Sequence, residues 1–283
     1  MASPKAFAPA LVIFSGVTQY VGAGIAVGLF TLLPPLSVAW GRIACGALAL
    51  LLWRRHLLRR EGKIDWRAMG HAAAFGVVLG GMNLCFYMAI SHIPLGTAVS
   101  LEYVGPVVLA ALTGRGWRVR LGLILAGAGV LLISWVGVDL SAPTVALGVG
   151  MAVAAGALWA GYIVLGRRLA SGANPVDSLA WGTALAALVY APVSLPVLRA
   201  VIHDWHILFL LLSVGVLSSV IPYAVDQVVM RLLTSAAFAL LSSLFPATSL
   251  LLGILMLHQI PNIAEVAGLI AISFAVLLAT TSE

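Results

Sequence analysis

Apolar stretches of about 20 residues follow one another along almost the whole chain, and this limits the fold more than any other feature. A hydrocarbon core of about 30 Å is crossed by about 20 helical residues. Only helices or closed barrels satisfy their backbone polar groups inside it. The runs are continuous and lack the alternation of a barrel strand, so the chain reads as an all-α polytopic membrane protein. Ten runs can be marked, at approximately 7–29, 36–53, 68–91, 96–113, 119–137, 144–165, 177–198, 206–229, 235–257 and 262–281. Between them lie helix breakers: Pro34-Pro35, Ile93-Pro94, Gly114-Arg115-Gly116, Ala142-Pro143, Asn174-Pro175 and Ile260-Pro261. Of the 283 residues, 62% are hydrophobic and 8% charged, where soluble domains carry roughly 25% charged residues. No loop is long enough for a separate soluble domain.

The net charge of +6 does not point to nucleic acid, because the basic residues sit in short loops between apolar runs. Among the 15 lysines and arginines, all but Arg42 and Arg199 fall on one side if the N-terminus is cytoplasmic. The positive-inside rule then places both termini in the cytoplasm, with the chain in the cytoplasmic (inner) membrane. The basic tract Arg54–Arg67 reads as a topology signal drawn to anionic lipid. The first run is too long for a signal-peptide core. Cys45 and Cys85 lie within apolar runs and match no metal or redox spacing.

The chain also repeats itself. Ser37-Val38-Ala39-Trp40-Gly41 returns as Ser178-Leu179-Ala180-Trp181-Gly182, and Ala98-Val99-Ser100-Leu101 with Pro106 parallels Phe238-Ala239-Leu240-Leu241 with Pro246. Two five-helix halves are expected, 1–141 and 142–283. An odd number of spans per half threads the second copy from the opposite side, giving an inverted repeat with a site near the midplane.

Polar groups inside such helices are costly and mark function. Glu102 is a lone carboxylate in the fourth run. At about 1.5 Å per residue, Arg42, Asn83 and Glu102 share a depth in the outer half of the bilayer, with Tyr87 one turn from Asn83. The expected site is a cavity in which Glu102 takes an ammonium group or a proton, walled by Asn83 and Tyr87. The competing reading is an Arg42–Glu102 ion pair that pins two helices. Ser242 occupies the place of Glu102 in the second half, and Tyr223 that of Asn83. Ser242 reads equally as a helix-contact residue bonded to its own backbone. Asp226 lies toward the cytoplasmic end of the eighth run, either lining a vestibule or wet at the interface. Gln19, Tyr20, Trp159 and Tyr162 occupy corresponding regions of the two halves and read as pocket walls or packing. Trp40, Trp53, Trp117 and Trp205 fall near run ends, as in an interfacial aromatic belt. Pro106, Pro222 and Pro246 fall inside runs and should kink them. Pro106 should free a carbonyl beside the acid.

No metalloprotease, serine-hydrolase, P-loop or dinucleotide motif is present, so neither an enzyme nor a cofactor is expected. The stretch Gly81-Met82-Asn83-Leu84 … Tyr87 … Ile93-Pro94-Leu95-Gly96-Thr97-Ala98-Val99 … Leu101-Glu102-Tyr103-Val104-Gly105-Pro106 resembles the drug/metabolite transporter superfamily, EamA family, and within it the threonine/homoserine exporter branch. Leu217-Ser218-Ser219-Val220-Ile221-Pro222-Tyr223 is similar to the same branch. The resemblance implies a 5+5 inverted repeat, a central cavity and secondary-active export of small amino acids or related metabolites, with protons as a candidate coupling partner. It also exposes departures: Phe245 stands where the family pattern has an acid, Asp226 where the branch has Glu, and Gln259 in place of a further Glu. Export of aromatic amino acids, purines or drugs, and a membrane interaction role without transport, are the alternatives.

Overall fold

The computed structural model describes residues 7–54, 66–113, 116–135, 142–171, 175–242 and 244–260, together with 262–264, 266–268, 270–271 and 274. Most of the tenth expected span, most of the basic tract and Ser243 lie outside these residues. Among the described residues the protein is helical and contains no strand. Among the described residues, five helices are long and apolar enough to cross a membrane, Ala8–Leu29, Pro35–Trp53, Met69–Ile90, Pro143–Ala170 and Trp205–Leu232. Shorter apolar helices cover Leu95–Leu109, Arg120–Gly129, Pro175–Val189 and Leu244–Leu257.

The first three runs form α1 (Ala8–Leu29), α2 (Pro35–Trp53) and α3 (Trp66–Ile90). The fourth is split into α4 (Leu95–Glu102) and α5 (Val104–Thr113). Proline has no N–H, so Pro106 leaves the carbonyl of Glu102 without its helical donor, and the helix breaks there. The next two runs are α6 (Trp117–Trp135) and α7 (Pro143–Ala170). The seventh run is shorter than its hydropathy indicated. Helix α8 (Pro175–Val189) gives way to a 3₁₀ turn at Ala191–Val193 and then to α9 (Leu195–His203). Pro192 and Pro196 remove two donors within five residues, and no continuous helix survives them.

The eighth run stays continuous through α10 (Trp205–Gly215), a π-helical turn at Val216–Val220, and α11 (Ile221–Leu232). The ninth is split like the fourth, into α12 (Ser235–Leu241) and α13 (Leu244–Leu257). Here Pro246 cannot donate to the carbonyl of Ser242, which accepts from the Phe245 N–H at 2.9 Å instead.

Helix α3 packs chiefly on α7 and α8, while α1 packs on α13, α11 and α10. The two broken runs lie side by side, α4 against α13 and α5 against α12. That pairing joins the start of one run to the end of the other, so they run antiparallel. Gln259, beyond α13, accepts a hydrogen bond from the Leu95 N–H at the start of α4 (3.3 Å).

Small residues make the closest crossings. A Cβ on Gly156 would run into the backbone of Glu102, and one on Gly105 into the backbone of Gly156. The break in the fourth run therefore rests directly on α7, as small-residue packing in membranes allows. At the polar ends, Arg54 Nε meets Asp177 Oδ1 at 2.6 Å, tying the end of α2 to the start of α8. Arg167 donates to the Leu233 carbonyl at 2.6 Å, tying the end of α7 to the end of α11. Trp53, Trp117 and Trp205 are exposed, as an interfacial belt requires. Trp40 is not: its indole N–H donates to the Ala187 carbonyl at 2.8 Å, so it fastens α2 to α8.

Candidate functional site

The sequence of the eighth run explains the first polar cluster. Pro222 cannot donate to the carbonyl four residues earlier, so Ser218 is left with a free acceptor. The π-helical turn absorbs the mismatch through the Ile221 N–H, which bonds to the Val216 carbonyl. Arg42 of α2, 1% exposed, fills the gap. Its Nη2 donates to the Ser218 carbonyl and, at 2.9 Å, to the Tyr223 hydroxyl. Its Nε donates to Ser219 Oγ at 3.0 Å. The guanidinium also lies 5.4 Å from the Tyr87 ring centre and 5.7 Å from that of Tyr223. Tyr223 in turn donates to Asn83 Oδ1 at 3.0 Å, and Asn83 Nδ2 donates to the Leu79 carbonyl at 2.7 Å.

The Arg42–Glu102 ion pair of the competing reading is therefore absent among the described residues. Arg42 is bonded by neutral oxygens of the eighth run. Glu102 makes neither an ion pair nor a hydrogen bond among the described residues, although it is only 5% exposed.

Beside this cluster is a narrow cavity lined by Gln19, Met82, Glu102, Trp159, Tyr162, Tyr223, Asp226 and Phe245. Its walls come from α1, α3, α4, α7, α11 and α13, so both halves of the chain contribute. In this conformation it has room for water rather than for a metabolite. Trp159 and Phe245 stack across one side, with centroids 5.6 Å apart and planes at 11°. Tyr103 and Tyr20 meet that stack edge-on at 6.0 and 6.2 Å.

Asp226 is not at a wet interface. It is 2% exposed, and its two oxygens accept from Ser15 Oγ and the Tyr162 hydroxyl, each at 3.1 Å. Six of the ten residues singled out from sequence thus meet at one cavity: Gln19, Glu102, Trp159, Tyr162, Tyr223 and Asp226. Asn83 stands one hydrogen bond behind Tyr223. Tyr87 lies under Arg42 rather than on the cavity wall, and its buried hydroxyl has no partner among the described residues. Ser242 is turned onto its own helix, donating to the Phe238 carbonyl at 2.7 Å.

Sequence reasoning did not single out Ser15, Met82 or Phe245 as site residues, nor Ser218 and Ser219 as the seat of Arg42. For the serines a signal existed, since Pro222 follows Ser218 by four. Ser15 and Met82 carried none, being ordinary residues of apolar helices. Among the described residues no cluster of His, Cys, Asp or Glu is arranged to hold a metal.

Comparison with known proteins follows the same lines. The sequence profile of the EamA-like transporter family matches residues 146–281. The chain is 32% identical to the threonine/homoserine exporter RhtA of Salmonella typhimurium over 251 residues, 89% of this chain and 83% of that protein. It is 32% identical to RhtA of Escherichia coli K12 over 238 residues, 84% of this chain and 79% of that protein. An uncharacterized transporter of Synechocystis, sll1319, is 26% identical over 229 residues, 76% of this chain and 66% of that protein. A crystal structure of another protein aligns with a TM-score of 0.65 over 96% of each chain at 20% identity, which shows a shared fold.

Proposed function

The chain belongs to the EamA-like transporter family, and we propose that it is a secondary-active exporter of small amino acids, threonine- or homoserine-like, or of related metabolites. The observation that carries this reading is Glu102. It is a buried acid without a partner among the described residues, at a helix break, on the wall of a cavity built by both halves. Such an acid is poised to take a cation, and the ammonium group of an amino acid is one. The threonine/homoserine exporters that cover most of this chain support the substrate class.

The cycle is alternating access between two inverted five-helix halves, 1–141 and 142–283, with both termini cytoplasmic. Three observations support the repeat. The fourth run breaks after Glu102 and the ninth after Leu241, each shortly before a proline. They pack antiparallel, as equivalent helices of an inverted pair must. The central cavity draws walls from both halves. The contracted cavity must widen to admit a substrate, and the two helix breaks beside it are the natural place for that movement.

The test is exchange of radiolabelled L-threonine, then of a metabolite panel, in liposomes holding the purified protein. Glu102→Gln is expected to lower exchange about tenfold or more. Exchange that persists at the wild-type rate removes Glu102 from the mechanism. The Trp159–Phe245 stack favours a second reading, export of larger apolar or aromatic amino acids. Competition by phenylalanine or tryptophan stronger than by threonine would select it.

A further inference from the structure

The two acids on the cavity wall are held in opposite ways. Glu102 of α4 has no bonded partner among the described residues. Asp226 of α11 is clasped by Ser15 of α1 and Tyr162 of α7, each at 3.1 Å. Both of its partners are hydroxyls. A hydroxyl donates to an ionised carboxylate and can accept from a protonated one, so this clasp survives in either state. A lysine or arginine in that place would hold the acid ionised. No ion pair reaches Asp226 among the described residues.

The ionisable groups around Asp226 are few. Tyr20 approaches from α1, Tyr162 from α7 and Tyr223 from its own helix. Glu102 lies on the wall of the same cavity, and Arg42 is committed behind Tyr223. Helix α8 carries one acid, Asp177, engaged with Arg54, and α12 carries no ionisable residue. A carboxylate so placed is neutralised by what the cavity brings to it, a proton or a cation.

We propose that Asp226 is the coupling-proton site of the transport cycle, separate from Glu102, which takes the substrate ammonium. The step is a simple one: a proton from water forms an O–H bond on one carboxylate oxygen of Asp226 and leaves by the reverse. On binding, one clasping hydroxyl turns from donor to acceptor. Because the clasp joins α1, α7 and α11, the proton state acts on helices from both halves. Substrate ammonium and proton neutralise the same small space, so each disfavours the other, which is the condition for exchange of one against the other.

This inference rests on the export reading, and the experiment separates the two. The full chain is reconstituted with L-threonine as probe, or with whichever panel compound exchanges fastest. Two fluxes are read, exchange without a gradient and uptake driven by an imposed pH gradient. In the wild type the gradient accelerates uptake. In Asp226→Asn the ratio of driven uptake to exchange is expected to fall about tenfold, while Asp226→Glu, which keeps an acid, preserves the ratio. In Glu102→Gln both fluxes fall together. A wild-type ratio in Asp226→Asn, or wild-type uptake indifferent to the gradient, overturns the coupling site while leaving export intact. Absence of exchange for every compound overturns export and coupling together. If Asp226→Asn elutes aggregated, Tyr162→Phe takes its place, since it removes one clasping hydroxyl and keeps the acid. Its ratio is expected to fall about threefold, and an unchanged ratio overturns the proposal.

Discussion

Arg42 of α2 and Glu102 of α4 are both buried, yet the structure treats them differently. Arg42 spends its donors on the Ser218 carbonyl, Ser219 and Tyr223, and it sits against two tyrosine rings. Glu102 is left without a bond among the described residues beside an open space. A buried charge whose bonds are all made inside the protein holds helices together. On the proposed function, a buried charge whose bonds are missing is available to something that comes and goes. The contrast separates architecture from chemistry more sharply than burial does, since both residues are almost wholly covered.

The largest expected effect breaks the Arg42 side. Arg42→Ala strands the Ser218 carbonyl and the Ser219 and Tyr223 oxygens, each costing about 1–3 kcal/mol when left unpaired and buried. Thermal scans of the detergent-purified protein should show much lower stability or no monodisperse peak. Arg42→Lys should recover only part of it, because an ammonium cannot reproduce the guanidinium fork. A melting temperature for Arg42→Ala within about 2 °C of wild type would reverse the assignment.

On the other side, Glu102→Gln should fold as well as wild type or better, by about 1 kcal/mol, because an unpaired buried charge is removed. A loss of stability comparable to that of Arg42→Ala would mean that Glu102 is architectural too. Smaller than the Arg42→Ala effect is that of Tyr223→Phe, which deletes one acceptor for Arg42 and one donor to Asn83, about 1–2 kcal/mol of lost stability by the same thermal scan. Smallest is Pro222→Ala. It restores an N–H that competes with Arg42 for the Ser218 carbonyl and changes stability by about 1 kcal/mol or less. Its sharper readout is the π-helical turn, which should revert toward α-helix in a structure of the variant.

The helical membrane class and the approximate places of the apolar helices were legible in the residues, because hydrocarbon thickness sets the length of an apolar run. So were the irregularities: a missing N–H at Pro106, Pro222 and Pro246 is a fact of covalent structure, although the helix breaks near the first and last and only loosens to a π-helical turn before Pro222. Glu102 announced itself because a carboxylate in an apolar run has no innocent explanation. Which freed carbonyl would be answered, and by what, was decided only when α2 met the eighth run and Arg42 reached Ser218. The same holds for Asp226, which lay near a span end by counting. It became a buried acid only because α1 and α7 converge on it with Ser15 and Tyr162. One-dimensional spacing reports depth and periodicity, whereas partnership between residues far apart in the chain depends on the rotation and crossing of packed helices, which spacing does not carry.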